Sequence, residues 1–147
     1  KAKEITQKQQ AFYEAGRLGM IIDGTGDEVL KIRNKMDKAE KLGYDCYMVF
    51  VNTSLEVAKH RNSMRDRVLP ENLLIPIWKD CQNNLGKFQT MFSGKFRIVD
   101  NTKNGNNITQ NVQKAVDGFI REPLRNPIGK NWIIQARILK QANLIKR

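Results

Sequence analysis

The spacing of apolar residues along the chain changes repeatedly between a helical period and a strand period. Apolar residues that recur every three or four positions predict helices in Lys1–Ala15, Asp27–Leu42, Ser54–Arg65, Leu73–Phe92, Ile108–Ile120 and Trp132–Ile145. Runs that are dense in β-branched and aromatic residues, or are apolar and bounded by glycines, predict strands in Leu18–Asp23, Tyr44–Asn52 and Lys95–Asn101.

This alternation predicts an α/β fold, because strands separated by helices of this length form right-handed crossovers and a parallel sheet. We expect residues 1–120 to form the α/β part, with helices flanking the sheet. The stretch "PLRNPIGKN" that follows has the composition of a linker and leads into a basic helix. Residues 121–147 are therefore predicted to be a separate basic tail.

The charge of the chain is strongly positive and unevenly distributed. Its formal net charge is +11, which favours polyanionic partners such as nucleotides, nucleic acid or an acidic protein surface. Residues 121–147 contain seven basic residues and one acidic residue, so they carry about half of the excess. The tail is the expected contact for another copy of the chain, a partner protein or nucleic acid.

Several classes of protein are disfavoured by what the chain lacks. No apolar run approaches the roughly 20 residues of a membrane span, and no signal peptide is recognisable at the start. Cys46 and Cys81 lie apart and predict reduced thiols of an intracellular protein. His60 is the only histidine, which argues against a histidine-based catalytic triad or a zinc cluster. We expect a cytoplasmic location and no membrane partner.

Polar residues stand at the ends of all three predicted strands. Asp23, Asn52 and the pair Asp100–Asn101 each follow an apolar run. In open parallel sheets, ligands bind in the crevice beyond the carboxyl ends of the strands, so these side chains predict one common site. The alternative for each of them is a turn-forming or helix-capping residue.

A glycine-flanked threonine follows the first of these strand ends. Gly24 and Gly26 allow close approach of the backbone to a ligand, and the Thr25 hydroxyl can bond to a phosphate or to a water on magnesium. The alternative is a tight turn that requires a positive φ. No GxxxxGK[ST] phosphate loop occurs in the sequence.

The stretch "RNSMRDR" contains Arg61, Arg65 and Arg67. Arg61 and Arg65 are predicted to share one helical face, with Arg67 where the helix ends. Guanidinium groups on a mobile segment can stabilise the charge of a transferring phosphoryl group. A solvated basic face is the alternative interpretation.

Taken in order, these motifs resemble the C-terminal part of a P-loop kinase of the zeta-toxin and polynucleotide-kinase type. The resemblance covers roughly Ile5 to Phe119 and is closest to kinase-like proteins of large tailed phages. It is carried by "MIIDGTG", "GYDCYMVFVNTSLEVAKHRNSMRDR", "NNLGKFQTMF" and "FRIVDN".

The resemblance implies a phosphotransferase with ATP and Mg²⁺ as cofactors of the intact protein. It would place Asp23 beside the substrate or magnesium, and Arg61, Arg65 and Arg67 in the lid over the γ-phosphate. Asn101 and Thr102 would flank the adenine. The implied substrate is a nucleotide, a polynucleotide end or a nucleotide sugar, and the implied location is host cytoplasm or virion.

The chain begins at Lys1, within a helical pattern, so we expect it to be the C-terminal part of a longer kinase. Without the phosphate loop this fragment is not expected to catalyse. An alternative of another class is an inactive kinase-like fold that serves as a structural or binding module, such as a virion component. Sequence-independent nucleic-acid binding is the third possibility.

Overall fold

The computed structural model of the chain describes residues 2–103 and 107–145. Within these residues the fold is α/β, mostly helical, with a small two-stranded parallel sheet. The elements are α1 (Ala2–Gly16), α2 (Val29–Lys41), β1 (Met48–Asn52), α3 (Leu55–Ser63), α4 (Glu71–Phe92), β2 (Phe96–Asp100), α5 (Asn107–Ile120) and α6 (Pro127–Ile145). No helix in these ranges is both long and apolar enough to span a bilayer.

The chain divides into two compact units that are not continuous in sequence. Unit 1 comprises residues 1–24, 35–45 and 124–147, and unit 2 comprises residues 25–34 and 46–123. The division falls inside α2, after Asn34. Of residues 121–147, predicted as a separate tail, those from Leu124 onward thus belong to the same unit as α1, and residues 121–123 belong to unit 2.

The sheet of unit 2 brings two strand ends together. β1 and β2 are parallel, and their register pairs Met48 with Phe96 and Asn52 with Asp100. Both strands therefore end at the same level. β1 is shorter than predicted because β2 begins at Phe96, so residues 44–47 have no strand opposite them in the register.

Helix α4 runs antiparallel to the strands. Near its first turns, Trp78 Nε1 donates to the carbonyl of Thr53, just beyond the end of β1, at 3.0 Å. Ten residues later the fully buried Phe88 ring lies 6.4 Å from the ring of Phe50, in the middle of β1. Phe50 also lies 6.3 Å from Phe96 of β2, so this aromatic cluster fixes the helix on the sheet.

Unit 1 is held by backbone approach and by asparagine hydrogen bonds. A Cβ on Gly43 would lie 2.7 Å from the backbone nitrogen of Gly129, so the start of α6 touches the turn after α2. Asn126 Nδ2 donates to the carbonyls of Glu40, at 2.9 Å, and Tyr44, at 3.2 Å. These contacts fix the start of α6 on the end of α2.

Helix α6 begins five residues before its predicted start at Trp132. The Asn126 side chain accepts from the Ile128 N–H at 2.9 Å and so caps the helix, and Pro127 occupies the first helical position. Both residues are typical of a helix start. The prediction of a linker is wrong from Pro127 onward, because the Pro and Gly content that suggested a linker also fits a helix that starts with proline.

The strand predicted at Leu18–Asp23 does not form. The segment has no regular secondary structure, and the Ile21 side chain is 96% exposed. An isolated extended segment is not stable in water without a neighbour to share its backbone hydrogen bonds, and in the described part of the chain β1 and β2 pair with each other. An apolar composition alone was therefore an insufficient signal.

Substitution of Gly43 by alanine should destabilise unit 1. The new methyl group would meet the backbone of Gly129, and Gly43 has φ +98°, which L-residues rarely adopt. We expect the free energy of unfolding to fall by at least about 2 kcal/mol, measured by urea denaturation followed by circular dichroism. Gly24→Ala is the matched control, since a Cβ there would meet nothing within 4 Å. Equal midpoints for the two variants would contradict the described packing.

Candidate functional site

Polar groups stand at the carboxyl ends of β1 and β2 in unit 2, and the space beyond these ends is here called the crevice. The Asn101 N–H donates to the Asn52 carbonyl at 2.7 Å and extends the pairing one residue past the strands. The Thr53 hydroxyl donates to the Asn101 carbonyl at 3.4 Å. The sequence prediction that Asn52, Asp100 and Asn101 lie at neighbouring strand ends is thus confirmed for these two strands.

Helix α4 orients the Asn52 side chain. Gln82 Nε2 donates to Asn52 Oδ1 at 2.9 Å, one helical turn after the Trp78 bond to Thr53. With its oxygen bound to Gln82, Asn52 can offer its Nδ2 donor to a ligand. A half-buried amide held in this way is suited to recognising a carbonyl or ring nitrogen.

Asp100 is an ionised acid at the edge of the crevice. Hydrogen bonds from the Thr102 side chain and backbone lower the pKa of Asp100, and the backbone N–H of Thr102 lies 2.8 Å from Asp100 Oδ1. Asp100 is exposed, whereas Asn101 and Thr102 are half-buried. The implied contact of Asn101 and Thr102 with an adenine stays a prediction.

The turn Thr25–Asp27 is fixed to the side of α4. Asn84 Nδ2 donates to the carbonyls of Gly26, at 3.3 Å, and Asp27, at 2.7 Å. The Cys81 thiol donates to the Thr25 carbonyl at 2.9 Å. The polar turn is thereby held to the same helix that orients Asn52.

Gly26 is required in this turn by its backbone conformation. Its φ is +81°, and a Cβ would lie 3.7 Å from both the Phe50 and the Phe88 rings. The interpretation of "GTG" as a turn with a positive φ is confirmed at this position. The Thr25 hydroxyl donates to the Asp27 carboxylate, so its role toward phosphate or magnesium stays a prediction.

Cys81 acts in this arrangement as a neutral donor. Burial raises the pKa of the Cys81 thiol, and the nearby carboxylates of Asp27 and Asp80 raise it further. A thiol with a raised pKa is a poor nucleophile at neutral pH. Cys81 therefore contributes to structure.

The three arginines are not all on one helix. Arg61 lies in the last turn of α3, which ends at Ser63, while Arg65 and Arg67 lie in the irregular segment that follows. The prediction that Arg61 and Arg65 share a helical face is therefore wrong. The helix ends at Ser63, and the side chain of Asn62 in its last turn bonds to the backbone of Leu69 beyond the irregular segment.

The segment Met64–Val68, here called the arginine loop, stands on the crevice side of the sheet. Trp78 marks the level of the strand ends on α4, and α4 runs antiparallel to the strands. The first residue of α4, Glu71, lies seven positions before Trp78. This spacing places the start of α4 about 10 Å beyond the strand ends. The arginine loop directly precedes that start.

Asp23 belongs to unit 1, where it lines a cleft of about 640 Å³. The cleft also contains an ion pair in which Lys38 Nζ lies 2.8 Å from Glu14 Oε1. Hydrogen bonds from Lys38 and Gln10 lower the pKa of Glu14. Because Leu18–Asp23 forms no strand, Asp23 is not the third strand end of the predicted site, and its catalytic and magnesium-binding roles stay predictions.

Among the residues that the structure describes, no group of three or more His, Cys, Asp or Glu side chains is placed to hold a metal ion. Magnesium is commonly bound by one or two carboxylates together with substrate phosphates and water.

Comparison of the chain with protein-family models, with curated proteins and with solved structures found no match.

Three amide side chains that organise unit 2 were not predicted from the sequence: Asn62, Gln82 and Asn84. Asn62 and Asn84 are each only 6% exposed. Gln82 and Asn84 flank the apolar stripe of α4, and a polar residue at such a position signals a buried hydrogen bond. The partners of Gln82 and Asn84 lie 30 or more positions away, and Asn62 bonds across an irregular segment to Leu69, so the pattern could have indicated burial but not the contacts.

Removal of the Asn84 amide should loosen the Thr25–Asp27 turn. Asn84→Ala leaves the Gly26 and Asp27 carbonyls without this donor, and we expect a loss of about 1–3 kcal/mol in the free energy of unfolding. Chemical denaturation measures this loss in the free energy of unfolding. Asn83→Ala, at the exposed neighbouring position, is the control and should change the midpoint little. Similar midpoints for Asn84→Ala and the wild type would contradict the role of Asn84.

Proposed function

We propose that unit 2 is the nucleotide-binding part of an ATP-dependent phosphotransferase domain. The observation that carries the proposal is the arrangement of two kinds of group on one side of a parallel sheet. A fixed amide and an acid with a lowered pKa stand at the strand ends, and the loop with two exposed arginines directly precedes α4, whose start lies beyond these ends. Parallel sheets bind ligands at this edge.

The two kinds of group fit different parts of a nucleotide. Asn52, Asn101 and Thr102 offer donors and acceptors of the type that recognise a base edge. Arg65 and Arg67 offer planar, permanently charged forks that match phosphate oxygens. The substrate class that follows is a nucleotide, a polynucleotide end or a nucleotide sugar, with ATP as the phosphoryl donor.

Catalysis by this chain alone is not part of the proposal. The sequence contains no GxxxxGK[ST] loop, and the backbone donors and lysine of that loop hold the β- and γ-phosphates in P-loop enzymes. We expect the chain to bind MgATP weakly and to show no turnover.

The Arg65→Ala/Arg67→Ala double variant tests the proposal. Loss of the charge-assisted hydrogen bonds should lower the affinity for MgATP by about tenfold or more, measured by isothermal titration calorimetry. The affinity for tripolyphosphate should fall by the same factor, because the arginines are proposed to contact phosphate and not the base.

The matched control is Arg33→Ala/Lys114→Ala, which removes two exposed positive charges elsewhere in unit 2. It should reduce the affinity much less, since exposed charges that do not contact the ligand are largely screened. An equal loss of MgATP affinity in both double variants would show that Arg65 and Arg67 act only through general positive charge. Absence of MgATP binding by the wild type would refute the proposal.

A second candidate function is polyanion binding through α6. This helix contains no acidic residue, and Lys130, Arg137 and Lys140 on it are exposed. Such a surface attracts nucleic acid without reading its sequence. Lys146 and Arg147, also counted as part of the basic tail, lie outside the described residues.

The salt dependence of DNA binding tests this second function. The Lys130→Gln/Arg137→Gln/Lys140→Gln variant should reduce the slope of log K against log salt by about 0.9 for each lost phosphate contact. Fluorescence anisotropy with a short random-sequence duplex measures the slope. Lys8→Gln/Lys79→Gln/Lys114→Gln removes three exposed charges from other helices. Identical slopes for the two triple variants would exclude α6 as the binding surface.

A further inference from the structure

We infer that Asn62 is a positioning residue that holds the arginine loop in the conformation that binds phosphate. The inference rests on the proposed function for the identity of the ligand. It concerns a residue that the sequence patterns did not single out, at the end of α3, beside the loop and not within it.

The Asn62 side chain forms two hydrogen bonds to the backbone of one residue, Leu69. Its Nδ2 donates to the Leu69 carbonyl at 2.7 Å, and its Oδ1 accepts from the Leu69 N–H at 3.0 Å. The side chain is 94% buried, since Asn62 is 6% exposed. A primary amide is suited to this contact because it carries a donor and an acceptor on the same planar group.

The backbone of Asn62 holds the other end of the same loop. Its carbonyl accepts from the Arg65 N–H at 3.2 Å. Asn62 therefore bonds to the chain on both sides of the loop, to Arg65 through its backbone and to Leu69 through its side chain. The residues between these points, Arg65 to Val68, are all exposed, so few other contacts fix their position.

A second connection between α3 and α4 lies outside the loop. Lys59 Nζ is 3.1 Å from Glu71 Oε2, and both side chains are substantially exposed. Exposed ion pairs contribute little to stability. The buried Asn62 bridge is therefore the stronger of the two described links that close the loop.

Closing the loop before a ligand arrives affects binding through entropy. An arginine on an open loop loses both backbone and side-chain freedom when it contacts phosphate, whereas a closed loop has already lost the backbone part. Opening the bridge should therefore weaken phosphate binding without removing any group that contacts the ligand.

Hydrogen–deuterium exchange of the unliganded protein tests the bridge itself. In Asn62→Ala the Leu69 amide should lose about tenfold in protection, which corresponds to one hydrogen bond of ordinary net strength. Asn62→Asp keeps the shape and the acceptor but loses the donor, so it should lie between the wild type and alanine. Asn83→Ala, an exposed asparagine on α4, is the control. Unchanged protection at Leu69 in Asn62→Ala would overturn the inference.

A double-mutant cycle tests whether Asn62 acts through the arginines. Asn62→Ala should lower the affinity for MgATP and for tripolyphosphate on the order of threefold to tenfold. In the Arg65→Ala/Arg67→Ala background it should have little further effect, because the groups that it positions are gone. A residue with a general structural role would give the same factor in both backgrounds, and that result would overturn the inference. If Asn62→Ala does not fold, Asn62→Asp takes its place in the cycle.

These experiments distinguish a failure of the proposed function from a failure of the role inferred for Asn62. Wild-type protein that binds neither MgATP nor tripolyphosphate would refute the proposed function, and with it the positioning role toward phosphate, whatever the exchange shows. Protein that binds MgATP in an arginine-dependent manner, with an additive cycle, would leave the proposed function standing and refute the role of Asn62.

Discussion

Unit 2 depends on the antiparallel contact between α4 and the β1–β2 pair. Two strands alone do not form a stable sheet in water, and the Phe88 ring, which has no exposed surface, provides the apolar contact that holds β1 and β2 against a helix. The same helix then fixes the polar groups. Gln82 orients Asn52, and Asn84 holds the Thr25–Asp27 turn. The hydrophobic core and the candidate site thus share one helix.

This sharing explains why the crevice can be rigid although the sheet is small. Asn52 is bound to α4 through Gln82, the Asn101 N–H donates to the Asn52 carbonyl of β1, and Asp100 accepts from Thr102 just beyond β2. A movement of α4 would alter the core, which is close-packed and resists deformation. The arginine loop is the exception, since it is exposed and held mainly at its two ends. Under the proposed function, the strand-end groups would form a fixed part of the nucleotide site and the arginine loop a more adaptable part.

Most elements could be predicted from the sequence, and the failures have physical reasons. The helices were predicted from their apolar stripes, and the strands Met48–Asn52 and Phe96–Asp100 lie within runs predicted from their β-branched and aromatic residues. Leu18–Asp23 failed because strand formation depends on a neighbour, which composition does not reveal. The early start of α6 was missed although Asn126 and Pro127 are helix-start residues. In the site, the strand ends were predicted, but the amides of Asn62, Gln82 and Asn84 were not, because their partners are set by the tertiary fold.

The close approach of Gly43 and Gly129 has a consequence for how this sequence can vary. A Cβ on Gly129 would lie 2.2 Å from the Gly43 carbonyl oxygen, just as a Cβ on Gly43 would meet the Gly129 backbone. The obstacle at each position is the main chain of the other, so no side-chain change elsewhere can relieve it. The two positions act as one constraint, and a related sequence that has lost either glycine should show a displaced or restructured α6 start.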